Sequence, residues 1–472
     1  MTSKAGTGAA NAWTLRAGFL AILVGSPMTV LPTGIEGPDP APDVEARLKP
    51  KTGVSEVSWL TDDPPERVRS FWEAHYPAIR SQQENEHAIR ASGYQLLGKL
   101  VGFDTVSRES NLALIEFVRD YLSQHGVDSE LLHNEDGSKA NLWATIGPTD
   151  RGGVVLSGHT DVVPVDGQPW TVPAFEITER DGKLYGRGTT DMKGYLACVL
   201  AAVPSFTAAE LKTPIHLAFS YDEEVGCLGV RSIISMLEGR PHKPLACIIG
   251  EPTELKPVLG HKGKLGVRCR VHGAPCHSAY APEGVNAIEY AARMITRLNQ
   301  IGERLADPAR HDNRFYPPFS TIQTGVIEGG RALNIVPSEC RFDWEVRSLP
   351  GFDAGEVERE MRSYADNELL PRMRAVEPNT DIVFEPLQAY PGLTTEASSE
   401  VARLIATLSG RDDFGTVAYG TEGGLFHEAG IPTVVCGPGC MDQGHKPDEF
   451  IAIDQLERCD AMMQRLKEHL SA

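Results

Sequence analysis

The 472-residue sequence predicts an α/β fold: a mostly parallel sheet flanked by helices, interrupted by a smaller ferredoxin-like α+β domain. Three observations lead there. Short apolar runs at 154–156, 215–219, 245–249 and 433–436 alternate with stretches of helical periodicity, the pattern of strands buried on both faces and linked by helices. Between 264 and 386 the strands alternate apolar and polar residues, as sheets with one wet face do. After 387 the α/β pattern returns, so the middle section reads as an insertion.

In chain order, residues 1–65 read as an extension. Its apolar run at 17–25 (AGFLAILVG) is too short to span a bilayer. Lys4 and Arg16 make a weak basic start and no A-x-A cleavage site follows, so a disordered extension or an over-long start is expected rather than a secretory signal. No later stretch is a membrane-span candidate. The first part of the large domain, 66–263, opens with helical periodicity over 84–125, carried by Ile89, Leu96, Leu97 and Leu100, then Leu112, Leu114, Ile115, Val118 and Leu122. A helix apolar nearly all round is expected at 192–202 and another at 232–237. In the inserted domain, 264–386, Leu265, Val267, Cys269 and Val271 alternate with polar neighbours, as do Phe342, Trp344 and Val346. Its order is strand, helix 285–300, strand 321–327, strand 340–347, helix 353–368, strand 381–385, which is the β-α-β-β-α-β order of a ferredoxin-like unit. The second part of the large domain, 387–472, supplies a helix at 397–408 and the last strand run.

A net charge of −19, from 64 acidic and 45 basic residues, argues against nucleic acid as a partner, because a phosphate binder needs a basic surface. The nine cysteines are scattered and form no CxxC pair, so they read as reduced core residues of a cytoplasmic protein.

Candidate chemistry gathers at the ends of the predicted strands, where open α/β sheets place their sites. Gly158 ends one strand and His159 and Asp161 follow, a histidine with a carboxylate near enough to orient it. Asp191 stands before the apolar helix, where an ordinary N-cap is the simpler reading. Asp222, Glu223 and Glu224 follow the next strand as three adjacent carboxylates; a solvated acidic turn or a bound dication would each explain them. Glu251 ends the strand after that, and His445 follows the last one. Each signal alone has a bland explanation. Together they put two imidazoles and several carboxylates where parallel strands converge, a ligand set for Zn2+ or Co2+.

The motifs SGHTDVVP, LYGRGTTDMKG, YDEEVGCLG, IIGEPT, HKGKLG and GHKPDEF stand in order, and over about residues 88–470 the chain resembles the acetylornithine deacetylase/succinyl-diaminopimelate desuccinylase family of dinuclear metal amidohydrolases. The resemblance implies a catalytic domain interrupted by a lid that also forms a homodimer. It implies that His159 and Glu251 hold one metal, Glu224 and His445 the other, and Asp191 bridges both. Asp161 would orient His159 from behind, Glu223 would be the general base, and the Asp191–Met192 peptide would be cis. His277, in Pro275-Cys-His-Ser278, would stabilise the oxyanion, often from the partner subunit. Asn334 and Arg347 would bind the substrate carboxylate; Arg347 also falls on the polar side of its alternating strand, and its fork suits a carboxylate. Glu rather than Asp at 251 implies a deacylase or carboxypeptidase. The stretches IIGEPTELKPVLGHKGKLG and YGTEGGLFHEAG imply N-acetylornithine as the small-molecule substrate, in arginine biosynthesis, with N-succinyl-diaminopimelate or another N-acyl amino acid as the alternative. Thr421 and Glu422 sit where the ornithine amine would be read. The chemistry needs a strong nucleophile at neutral pH, and two dications roughly 3.5–4 Å apart lower the pKa of a shared water towards about 7.

Overall fold

The computed structural model describes residues 93–472 and, nearer the N terminus, the backbone of three short strands. Those strands, β1 (Trp13–Arg16), β2 (Phe19–Leu23) and β3 (Met28–Pro32), pair antiparallel in sequence order, with Arg16 opposite Phe19 and Leu23 opposite Met28. They fall in the extension expected to lack regular structure. Thr14, Phe19, Ile22, Thr29 and Val30 are β-favouring residues, and the apolar run at 17–25 contributes to one strand rather than to a helical segment. The remainder of the expected extension, and the helical periodicity before 93, lie outside the described residues.

The described chain continues with helix α1 (93–101), and α2 (Leu112–Gln124) follows. The periodicity over 84–125 is therefore interrupted at 102–111, beginning at Gly102. Leu96, Leu97, Leu100, Leu114, Ile115, Val118 and Leu122 are all buried, as the spacing implies. Strands β4 (Ser129–His133), β5 (Ala140–Ile146) and β6 (Val154–His159) come next. The small strands β7 (Thr178–Arg180) and β8 (Lys183–Tyr185) precede α3 (Gly194–Thr207), β9 (Ile215–Ser220), α4 (Val230–Glu238), β10 (Ala246–Pro252) and β11 (Val258–His261).

The chain then enters the lid: β12 (Gly263–His272), α5 (Ala287–Leu305), β13 (Thr321–Gly329), β14 (Glu339–Ser348), α6 (Gly355–Tyr364), α7 (Leu370–Arg374) and β15 (Asp381–Tyr390). It returns with β16 (Leu393–Thr394), α8 (Glu400–Ser409), β17 (Gly415–Val417), α9 (Gly423–Glu428), β18 (Thr433–Gly437), β19 (Phe450–Ala452) and α10 (Ile453–Ser471).

The central sheet runs β16-β11-β18-β10-β6-β9-β5-β4, with β17 on β11. Its middle, β18-β10-β6-β9, is parallel, and β5 and β4 add antiparallel on one side. Every residue of β6, β9, β10 and β18 is buried, as two covered faces require. Helix α3 is buried along nearly its whole length, and the close packing has a requirement at Gly250: a Cβ there would lie 2.0 Å from the Tyr195 ring. Because the middle strands are parallel, their C-terminal ends share one edge, and His159, Ser220 and Glu251 stand on it.

The lid sheet is antiparallel in the order β13-β14-β12-β15. Val267, Cys269, Val271, Phe342, Trp344 and Val346 pack with Met294, Leu298 and Met361 into a separate core. Period-two alternation thus reports one face against helices and one polar face, as expected. Among the described residues no helix is long and apolar enough to cross a membrane.

Candidate metal centre

Five predicted ligands come together at the shared strand edge. His159 Nε2 lies 3.0 Å from Asp191 Oδ1 and 3.6 Å from Glu251 Oε1. His445 Nε2 lies 3.1 Å from Asp191 Oδ2 and 3.1 Å from Glu224 Oε2. Asp191 therefore presents one oxygen to each imidazole. It sits between β8 and α3, and the Asp191–Met192 peptide bond is cis. Ligating atoms of His159, Glu223 and Glu251 lie within 4.8 Å of one another, as do those of His159, Asp191 and Glu224. Glu223, expected to be free of metal, is thus close enough to ligate. Its Oε1 also accepts the Cys227 thiol at 3.4 Å.

Electrostatics sort the cluster. Burial raises the pKa of Glu223 and Glu251, and neighbouring carboxylates raise both further. Glu224 is pushed up to about 7, chiefly by burial. Although burial opposes it, hydrogen bonds with His159 and His445 hold Asp191 well below the usual carboxylate range. Hydrogen bonds to Asp191 and Glu224 lift His445 to about 11. A bound cation would oppose the upward shifts of Glu224, Glu251 and His445, since ligands bind deprotonated. Two nitrogens and several carboxylate oxygens, mostly buried and aimed at one another, fit a pair of divalent cations.

Asp161 stands behind His159 and meets it through its main chain as well as its charge. His159 Nδ1 donates to the Asp161 backbone carbonyl at 2.8 Å, while the carboxylate stands 3.6 Å away. That carboxylate instead accepts Ser107 Oγ at 2.7 Å and the backbone N–H groups of Glu223 and Glu224 at 3.1 and 3.3 Å. The histidine is thus held at hydrogen-bond distance by the Asp161 carbonyl, with the carboxylate behind it tying the β9 loop to the same place. Asp222, the third of the adjacent carboxylates, is drawn off by Lys139 at 2.5 Å.

The expected substrate residues are less united. Thr421 is fully buried, and its Oγ1 accepts Gly423 N at 3.0 Å. Glu422 is 1% exposed, with its carboxylate held by the Ser220 hydroxyl and, at 3.4 Å, by Ser157 Oγ. Burial pushes it up to about 7. Glu422 is committed to Ser157 of β6 and Ser220 of β9, and Thr421 to the start of α9, so both are buried rather than exposed to a cationic amine. Arg347 is half-buried on β14, donating to Glu345 Oε1 at 3.1 Å and to the Tyr390 hydroxyl at 3.2 Å. The Tyr390 ring packs where a Cβ on Gly420 would come within 2.0 Å, so Arg347 is linked to the loop before Thr421. Asn334 and His277 are exposed on the lid. Ser278 N donates to the Asn334 carbonyl at 3.1 Å, and His277 Nδ1 accepts Ala279 N at 3.1 Å, so the two segments bind each other rather than the carboxylate cluster.

Sequence reasoning missed Arg187, Glu449, Gln168, Ser107 and Tyr390. Arg187 and Glu449 lie inside the quoted motifs but read there as ordinary charges. A signal existed in the glycines flanking Arg187, both at positive φ, which fold the backbone tightly around it.

The family model described as peptidase family M20/M25/M40 matches residues 155–469. The chain belongs to this peptidase family. An acetylornithine deacetylase of Myxococcus xanthus is 36% identical over 387 residues, 81% of this chain and 97% of that one. An M20 family metallo-carboxypeptidase of Sulfolobus solfataricus has a similar structure, with a TM-score of 0.64 at 19% identity, covering 80% of this chain and 99% of that one. A dinuclear metal-binding M20 peptidase of Bacillus subtilis matches with a TM-score of 0.54 at 15% identity, covering 81% and 98%. This M20 chain is accordingly a hydrolase of amide bonds.

Proposed function

We propose that this M20 chain is a dinuclear-metal amidohydrolase that removes the acyl group from an N-acyl amino acid, N-acetylornithine first among them. One observation carries the reading: Asp191 offers its two oxygens to two imidazole–carboxylate sets, 3.0 Å from His159 and 3.1 Å from His445. His159 and Glu251 would hold one cation, Glu224 and His445 the other, with Asp191 between them. The similarity to an acetylornithine deacetylase over most of both chains supports the substrate. Zn2+ and Co2+ both suit the donors.

When bound, two such cations supply a nucleophilic water at neutral pH and polarise the scissile carbonyl. Glu223 accepts the proton of that water on its carboxylate and passes it to the leaving amine. Its raised pKa, caused first by burial, suits a group that must hold a proton between those events. Asp161 keeps this carboxylate in place through the Glu223 backbone. Arg347 offers its fork to the substrate carboxylate from the lid, with Asn334 beside His277. His277, exposed on the lid, would donate to the developing oxyanion from a partner subunit, and such a donor is worth about 3–4 kcal/mol.

Glu223→Gln tests the assignment. The variant should bind two equivalents of metal like wild type while turnover falls roughly 100- to 10,000-fold. Wild-type turnover would overturn the base. In parallel, amine release from N-acetylornithine, N-succinyl-diaminopimelate and N-acetylmethionine should be chelator-sensitive and greatest for the first. Equal cleavage of all three would overturn the substrate.

A further inference from the structure

Arg187 and Glu449 form an ion pair in which each side chain is only 1% exposed, Nη1 to Oε2 at 2.6 Å. Taking two charges out of water costs roughly what their attraction returns, so stability alone does not explain such a pair. Its other partners do. Glu449 Oε1 accepts the backbone N–H groups of Thr190 at 2.9 Å and Asp191 at 3.1 Å. Arg187 donates to the Lys446 carbonyl at 3.3 Å and to Gln168 Oε1 at 2.7 Å. Gln168 Nε2 in turn donates to the His445 carbonyl at 3.2 Å. Trp170 completes the group, its indole N–H on Gln168 Oε1 at 2.9 Å and its ring 5.0 Å from the guanidinium carbon. His445 has φ +61°, a conformation that a residue with a side chain keeps only when its surroundings hold it.

One network therefore grips the main chain of Asp191 at one end and of His445 and Lys446 at the other. The side chains of Asp191 and His445 meet in front of it at 3.1 Å. We infer that Arg187, Glu449 and Gln168 are positioning residues that set the separation of Asp191 and His445. They thereby tune the cation position shared by Asp191, His445 and Glu224 more than the one at His159 and Glu251. The guanidinium is needed because one planar fork serves the carboxylate, a carbonyl and an amide at once; an ammonium on a flexible stem does not fix those angles. The inference rests on the two-cation reading above.

The test is Co2+ titration of chelator-stripped full-length protein by calorimetry, without substrate. His159→Ala and His445→Ala first show which equivalent belongs to which position. Glu449→Gln and Arg187→Lys should weaken the His445 equivalent about 10- to 100-fold, the range for groups that orient metal ligands, and the His159 equivalent by less. Gln168→Met removes the bond to the His445 carbonyl and the acceptor of Arg187 and Trp170 while leaving the Arg187–Glu449 pair in place, at a partly exposed position that folding tolerates, and should weaken the same equivalent several-fold. Thermal unfolding of the stripped variants shows whether each is folded before titration. Equal weakening of both equivalents, or unchanged affinity in folded Gln168→Met, would overturn the positioning role. A wild-type protein that binds fewer than two equivalents would overturn the two-cation reading, and this inference with it.

Discussion

Asp161 holds two neighbouring glutamates by their backbones. Its two oxygens receive Glu223 N and Glu224 N, and one of them also receives Ser107 Oγ, so a single charge fixes both the proposed base and a proposed ligand. An amide has one acceptor oxygen where the carboxylate has two. Asp161→Asn should therefore misplace the β9 loop, weakening metal binding about 10- to 100-fold and lowering turnover, while Ser107→Ala, which keeps both backbone bonds, should do far less. Calorimetry and initial rates on the two variants check this; equal effects would show that the hydroxyl, not the paired backbone bonds, carries the role. His159, Asp191, Glu224, Glu251 and His445 were legible in the sequence because each follows a buried strand or opens a helix, and parallel strands bring such positions together. The direction of a side chain was not. Whether Asp161 meets His159 through carbonyl or carboxylate, and whether Glu422 faces a cleft or two serines, depends on loop depth that leaves no periodic trace.

At the scale of elements, the pairing of β5 with β9 carries a titratable group away from the candidate site. His216 lies opposite Thr145 in the register, its Nδ1 3.0 Å from the threonine hydroxyl, and its ring stacks on Trp143 at 5.0 Å. Burial, with the Arg240 charge nearby, lowers its pKa to about 4. The folded state thus keeps His216 neutral, while an unfolded chain protonates it near 6.5. The stabilisation is complete above that value and is lost as pH falls towards 4, at about 1.4 kcal/mol per unit. Between pH 7.5 and 5.0 wild type should lose about 2 kcal/mol more than His216→Phe, which keeps a ring on Trp143. Urea unfolding at both pH values measures it, and an unchanged difference between the proteins would refute the claim. The elements themselves were largely legible, since β6, β9, β10 and β18 are built on short apolar runs and the lid strands alternate. The helical stretch over 84–125 was not resolved into two helices, because apolar spacing continues on both sides of Gly102 and hides the break.

For the whole molecule, the lid's outer edge is left open among the described residues. Strand β13 ends the lid sheet, with Val326 and Ile327 at 43% and 52% exposure and Leu333 fully exposed beyond it. An apolar, unpaired strand edge is a template for pairing with another chain. The proposed homodimer would cover it and carry His277 to a neighbouring site. The two ideas can be tested together. Glu223→Gln and His277→Ala should each be nearly inactive. If His277 acts on the partner's site, a mixed dimer holds one site with both groups intact. Mixing the two proteins in equal amounts, with time for subunit exchange, should then restore about a quarter of wild-type activity. Adding Val326→Lys and Ile327→Lys to both should give monomers by sedimentation and abolish the recovery. Were His277 to serve its own chain, no mixed dimer would hold a complete site and mixing would restore nothing.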